Sequence, residues 1–223
     1  MTLTGIDSPG TGRPTDGQEG RRILSEVTDW LRVFLARPHP DLGRKGAVCP
    51  FMEQSLKLGR TAVSSVDVSG ARGPKRLESL ARSALGRLDG PHASDDVYNA
   101  FVMVPVGPDA ATRHRIVVDV QQALKKEAVA AGKMVGEFFP GHPMPGIHNE
   151  GFRPLDSPHP VLAVRSMVIT DILFLTFPEI PVADRLSYLA VWHDQFGGEP
   201  AERWNEIYRT AKDQAEREIC ELV

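Results

Sequence analysis

The chain has 223 residues, with 26 lysines and arginines against 29 aspartates and glutamates, a formal net charge of −3, and 41% hydrophobic residues. This balance is that of an ordinary globular protein and argues against nucleic-acid binding driven by charge. The longest apolar stretch, 161–177, is interrupted by Arg165 and Asp171, which disfavours a membrane span. The N-terminus has no signal-peptide core, and two cysteines cannot form a disulfide framework. We therefore expect a cytoplasmic protein.

The N-terminal part of the chain is predicted to be a tail followed by a helix. Residues 1–19 are rich in Thr, Gly, Pro and Asp and bury too little apolar surface to order, so they are predicted to be disordered. Apolar residues then recur at helical spacing from Arg21 to Arg37, and Pro38 and Pro40 end this amphipathic helix. A loop and a short helix at 52–59 follow.

The rest of the chain mixes predicted strands and helices. Strands are predicted at 61–68, 97–106, 134–139 and 161–170. Helices are predicted at 73–88, 112–131, 182–196 and 200–222, with a short apolar segment at 172–177. Since the order shows no strict alternation of strand and helix, we predict an α+β fold. It would be a single domain over residues 20–223, with a mixed or antiparallel sheet packed against several helices.

Cys49 is the first candidate for chemistry. It precedes Pro50, a residue suited to the first position of a helix, so Cys49 is the predicted N-cap. Backbone N–H groups at that helix end, with Arg44 and Lys45 nearby, would stabilise a thiolate. Such a thiolate could be a nucleophile, a redox centre or an iron ligand. The alternative, a small side chain packed behind a turn, fits the sequence equally well.

The second candidate is the segment 140–160, which contains six of the 18 prolines and three of the seven histidines. Long irregular segments inside a compact domain commonly serve as lids or binding loops. Prolines restrict the backbone, so His142, His148 and His159 are expected at defined positions. Their spacing matches no compact metal motif. We expect this loop to face Cys49 across a pocket.

Arg165 is the third candidate, because it lies inside the apolar run VLAVRSMVI. A guanidinium group does not lose its charge in a protein and therefore needs a partner. The predicted partner is a carboxylate, either from a ligand or from Asp119 or Asp171 of the protein itself.

Two segments carry a family resemblance. The run FLARPHPDLGRKGAVCPFMEQSLKLGR, which contains Cys49, looks like the entry motif of an uncharacterised, mostly actinobacterial domain family. It is more remotely similar to the YqcI/YcgG-like proteins, which include heme-dependent N-hydroxylases of arginine and other guanidines. The run GIHNEGFRPLDSPHPVLAVR resembles the segment of that group in which a histidine precedes an aromatic residue and an arginine, here His148, Phe152 and Arg153. The resemblance covers about residues 30–197.

The resemblance implies a heme b cofactor. His148 is the favoured axial ligand of the iron and Cys49 the alternative. A thiolate ligand favours O–O cleavage, whereas an imidazole ligand is tuned by its own hydrogen bond. The other residues implied at the cofactor, as partners of the propionates or of a substrate carboxylate or as the neighbouring aromatic ring, are Arg44, Arg153, Arg165 and Phe152.

The resulting prediction is a heme-dependent monooxygenase, similar to the N-hydroxylases, that oxidises a small amino-acid-derived amine or guanidine in natural-product biosynthesis. Two alternatives stay open. One is a heme-free enzyme in which Cys49 is an activated thiolate and a loop histidine its base. The other is a non-catalytic small-molecule-binding or accessory protein. The expected partner is a small-molecule substrate, with an electron donor and a homodimer as open options, and neither nucleic acid nor a membrane.

Overall fold

The computed structural model of the protein describes residues 14–88, 97–198 and 201–221. Helices and one mixed four-stranded sheet make up this part of the chain, which confirms the predicted α+β class. Residues 1–13, most of the predicted tail, lie outside the described residues. In the described part, no helix combines the length and the apolar character that a membrane crossing requires.

The elements follow the predicted order closely. The helices are α1 (Pro14–Trp30), α2 (Pro50–Lys57), α3 (Gly73–Arg87), α4 (Ala110–Ala130), α5 (Ile172–Leu175), α6 (Val182–Phe196) and α7 (Glu202–Glu221). The strands are β1 (Thr61–Asp67), β2 (Ala100–Val106), β3 (Lys133–Phe138) and β4 (Val161–Ser166).

Helix α1 differs from its prediction at both ends. It begins at Pro14, inside the segment predicted to be disordered, so the predicted tail boundary at residue 19 is wrong. Residues such as Gln18 and Glu19 are good helix formers and extend the helix beyond its apolar stripe. At its C-terminal end the chain continues as a π-helical turn, Leu31–Leu35, before Pro38 stops it.

The sheet combines parallel and antiparallel pairing, in the order β1-β2-β4-β3. Strands β1 and β2 are parallel, with Thr61 opposite Ala100, and α3 lies between them in the chain. A parallel pair needs such a crossover, which a hairpin cannot supply. Strand β4 is antiparallel to β2, with Arg165 opposite Ala100. The mixed sheet follows from these two connections.

The contacts of the chain form two compact units, 1–124 with 135–165 and 125–134 with 166–223. Each unit has its own apolar core. The first is built around Ile23, Val27, Leu31, Val102, Val104 and Val161. The second is built around Met167, Ile172, Leu175, Leu189 and Trp192.

Two glycines of α3 give a matched test of this packing. A Cβ on Gly73 would lie 1.8 Å from the carbonyl oxygen of Val68, whereas a Cβ on Gly86 would meet nothing within 4 Å. We expect Gly73→Ala to lower the free energy of unfolding by about 3 kcal/mol or more, because backbone must move. Gly86→Ala should raise it by about 0.5–1 kcal/mol, since alanine favours the helix. Urea denaturation measures both, and equal effects would contradict the close approach of α3 to Val68.

Candidate functional site

The first unit contains an open groove of about 1110 Å³. One side is α1 and the π-helical turn that follows it, and the other side is the segment 140–160, here called the proline-rich loop. Both walls come from segments that are distant in sequence. The helical wall is formed by Glu26, Asp29, Trp30, Val33 and Phe34. The opposite wall is formed mainly by Pro140, Asn149, Gly151, Phe152, Arg153, Asp156, Ser157 and Pro158, with Asp41 from the loop before α2.

Aromatic rings line part of the groove. The ring centroids of Trp30 and Phe34 are 6.2 Å apart with their planes 19° from parallel, and Phe34 is 5.8 Å from Phe152. Behind them, Phe138 packs edge-on against Trp30 at 5.4 Å, and His39 lies 4.8 Å from Phe152. These contacts hold each ring between neighbours. The groove therefore has a preformed apolar surface suited to an aliphatic chain or a planar group.

Carboxylates outnumber basic groups along the groove. The acidic residues that line it are Glu26, Asp29, Asp41 and Asp156, against Arg153 as the basic one. The Glu26 carboxylate lies 2.5 Å from His159 Nε2 and accepts a hydrogen bond of 2.7 Å from Arg22. The hydrogen bond to His159 and, to a smaller extent, the one to Arg22 hold the pKa of Glu26 below its usual value, so Glu26 stays ionised at neutral pH. The groove is thus a negatively charged site.

The carboxylate of Asp29, unlike that of Glu26, is available to bind a ligand. It lies one helical turn after Glu26, on the same face of α1, and is exposed. Its carboxylate makes no hydrogen bond or ion pair to another described residue, whereas Glu26 is held by two partners. Asp29 is therefore the acidic group in the helical wall that is best placed to receive a ligand's positive charge.

Arg153 supplies the positive charge on the opposite wall. Its Nη1 donates to the backbone carbonyl oxygens of Glu150 and, at 3.0 Å, of Phe152. These bonds fix the guanidinium on the loop, and Nε and Nη2 donate to none of the described residues. Two donors of one planar group are thus left for a ligand.

The loop is fastened to α1 and to its own turn by a few hydrogen bonds. The indole N–H of Trp30 donates to the carbonyl oxygen of Asp156 at 3.0 Å. The Asp156 carboxylate accepts from the N–H of Gly141 at 2.9 Å. Its prolines and these bonds together give the loop one defined conformation, as the sequence predicts.

The two segments that carry the family resemblance lie against each other. Asn149 donates through its side-chain amide to the carbonyl oxygen of Asp41 at 2.7 Å. Gly43 has a φ of 74°, and a Cβ there would lie 2.7 Å from the carbonyl oxygen of His148. Glycine is required at this crossing because of both the conformation and the close approach.

The two predicted iron ligands do not line this groove. His148 is exposed, and Cys49 is the N-cap of α2, where its Sγ accepts a hydrogen bond of 3.4 Å from the N–H of Met52. The N-cap prediction for Cys49 is confirmed. This groove lies between the loop and the first helix and is not lined by Cys49. A pocket between the loop and Cys49 stays a prediction.

The predicted arginines separate into two groups. Arg153, with Phe152, lines the groove. Arg44 instead donates to the carbonyl oxygens of Lys45 and Val48, both at 3.0 Å, and so stabilises the loop before α2. The guanidinium of Arg165 lies 4.7 Å from the ring centroid of Phe51, a cation–π contact that the sequence pattern does not predict.

The groove residues do not fit a heme. A porphyrin carries two propionates, and the carboxylates of this groove would repel them, with Arg153 as the one basic residue lining it. Neither His148 nor Cys49 lines it. Among the described residues, no three or more His, Cys, Asp and Glu side chains group to hold a metal ion. Heme b, with His148 or Cys49 as its ligand, stays a prediction.

Comparison with known proteins identifies the family. A family model described as Domain of unknown function (DUF6875) matches residues 24–206. The chain belongs to the DUF6875 family. No curated protein and no solved structure matches it. The matched region contains both walls of the groove, and the similarity to the YqcI/YcgG-like N-hydroxylases stays a prediction.

Sequence analysis missed the helical wall of the DUF6875 groove. Glu26 and Asp29 are ordinary polar residues on the outer face of an amphipathic helix, and Trp30 is one of the apolar residues that recur at helical spacing. The available signals are two pairs at helical spacing, Glu26 with Asp29 and Trp30 with Phe34. That pattern is common on solvated helices and does not distinguish a binding wall.

The role of Cys49 in this DUF6875 chain can be tested through its cap. Because Ser also accepts a hydrogen bond at an N-cap, we expect Cys49→Ser to keep the stability of the protein. Cys49→Ala should lower the free energy of unfolding by about 1 kcal/mol, since the N–H of Met52 loses its acceptor. Thermal or urea unfolding measures both variants. Equal losses in Ser and Ala would show that the cap contributes nothing.

Proposed function

We propose that the groove binds a small amino-acid-derived amine or guanidine in its protonated form. The observation that carries the proposal is the Asp29 carboxylate, which has no partner among the described residues and lines the same groove as the aromatic rings of Trp30 and Phe34. A carboxylate next to an aromatic face offers both recognition modes that an organic cation uses, a charge-assisted hydrogen bond and a cation–π contact.

The charge of the groove favours this class of ligand over an anionic one. Glu26, Asp29, Asp41 and Asp156 lie along it, and the low pKa of Glu26 keeps that group negative at neutral pH. Since the groove is open to water, the attraction is screened by salt and each contact is modest. Several acidic groups acting on one small cation would supply the selectivity.

The shape of the groove fits a ligand with an aliphatic or planar body. Its volume, about 1110 Å³, is slightly above the range of roughly 300–1,000 Å³ for small-molecule sites. A ligand of amino-acid size would therefore occupy part of it. Arg153, on the wall opposite Asp29, would take a carboxylate of such a ligand through its two uncommitted nitrogens.

The proposed ligand belongs to the substrate class of the predicted heme enzyme, and the reaction is a separate question. An absorption spectrum of the purified protein, after growth with a heme precursor, tests the predicted heme. A Soret band that His148→Ala removes would support His148 as the ligand, and one that only Cys49→Ala removes would support Cys49. Colourless protein would contradict a heme enzyme and leave the binding proposal intact.

The ligand class itself is tested by titration calorimetry with L-arginine and with L-citrulline, its uncharged analogue. We expect L-arginine to bind more tightly, and Asp29→Asn to weaken its binding about 5- to 10-fold because one charge-assisted contact is lost. Citrulline binding should change little. Asp119→Asn is the matched control, since Asp119 belongs to α4 and does not line the groove. Equal affinities for the two ligands would contradict the proposal.

A further inference from the structure

A buried histidine lies where β3 leads into the proline-rich loop. The ring of Phe139 is between two imidazoles, with its centroid 4.1 Å from that of His114 and 4.3 Å from that of His142. His142 is 5% exposed, although it belongs to an irregular loop at the surface of the first unit. The groove proposal does not use this cluster.

The neutral imidazole of His142 is held in one tautomer by a hydrogen bond to its Nδ1. Its Nδ1 lies 3.2 Å from the backbone nitrogen of Met144, whose N–H donates to it. A nitrogen that accepts a hydrogen bond carries no proton, so the neutral ring has its proton on Nε2. The backbone N–H of His142 donates in turn to the carbonyl oxygen of Phe139 at 3.2 Å. The neutral imidazole thus closes the turn that starts the loop.

The same turn is joined to the end of the loop. Phe139 forms a bridge to Asp156, and its carbonyl oxygen also accepts from the N–H of Ser157 at 3.4 Å. The N–H of Gly141 donates to the Asp156 carboxylate at 2.9 Å. A change at His142 would therefore reach both ends of the loop.

We propose that His142 is a proton-operated latch, which holds residues 139–157 in place when its imidazole is neutral and releases them when it is protonated. A proton on Nδ1 would face the N–H of Met144, so an attractive contact would become a repulsive one. The positive charge would also be buried against the ring of Phe139, where water is largely excluded.

The surroundings of His142 also disfavour its protonated form. Burial lowers the pKa of His142 below its ordinary value of 6.5, and the charge of His114 on α4 lowers it further, whereas the Asp156 carboxylate in the loop opposes both. The latched loop then binds fewer protons than the open loop. The contribution of neutral His142 to the stability of the closed loop is fully present above about pH 6.5. This contribution is lost as the pH falls from there towards the lowered pKa of His142.

Opening of the loop would also dismantle one wall of the groove, since Pro140, Asp156 and Ser157 line it. Release of a bound ligand in mild acid is a consequence that rests on the proposed function. The opening itself does not depend on any ligand. The two proposals can therefore fail separately.

Hydrogen–deuterium exchange of the full chain, followed by mass spectrometry between pH 7.5 and 5.5, tests the latch without ligand. After correction for the intrinsic exchange rate at each pH, we expect the opening of peptides within 139–157 to increase, by up to tenfold per pH unit below about 6.5. His142→Asn should remove this increase, because the amide oxygen can accept from Met144 and does not titrate. His148→Asn, at an exposed histidine of the same loop, should keep it.

Two results would overturn the latch. One is a wild-type loop whose opening does not change with pH, and the other is the same increase in His142→Asn as in the wild type. If His142→Asn does not fold, His114→Gln decides the question. Since the electrostatic effect of His114 lowers the pKa of His142, this substitution should raise that pKa and reduce the increase, and an unchanged increase would then contradict the proposal.

Discussion

The groove depends on a hydrogen bond that joins its two walls. The indole N–H of Trp30 donates to the carbonyl oxygen of Asp156, a residue 126 positions further along the chain. The buried indole needs an acceptor for its N–H, and the loop carbonyl supplies it. The ring also packs against Phe34 and Phe138. Because Trp30 belongs to the helical wall and Asp156 to the loop, this contact sets the separation of the walls.

The π-helical turn Leu31–Leu35 places the remaining groove residues of the first helix. Leu31 and Leu35 are buried in the core of the first unit, while Val33 is 71% exposed and lines the groove. A turn with one extra residue shifts the side chains that follow it around the helix axis. Phe34 can therefore contact both Trp30 and the loop residue Phe152. One side of this turn thus packs into the core, and the other side lines the groove.

Local patterns predicted most of the fold. Helical and alternating spacing located the helices and strands, and the Cys-Pro pair predicted the N-cap of α2, because all these signals are short-range. The proline-rich loop was also predicted as one ordered segment with a binding role, and it forms a wall of the groove. Its start and end were evident from composition alone.

The partner of that loop could not be predicted, because it is decided by packing between distant segments. Cys49 and His148 carry distinctive chemistry in the sequence, whereas Asp29 looks like any polar residue of a solvated helix. Contacts across the chain, those of Trp30 with Asp156 and of Glu26 with His159, make Asp29 part of a site. Arg165 shows the same limit, since the ring of Phe51 lies under its guanidinium and the sequence pattern does not predict that contact.

The central claim is that organic cations bind between α1 and the proline-rich loop. The most direct test is to follow the backbone amide resonances of the protein by NMR while L-arginine is added. We expect saturable shifts in residues 26–34 and 140–158, and high salt should weaken the binding that causes them. Shifts confined to Cys49 and the start of α2, or no saturable shifts at all, would contradict it.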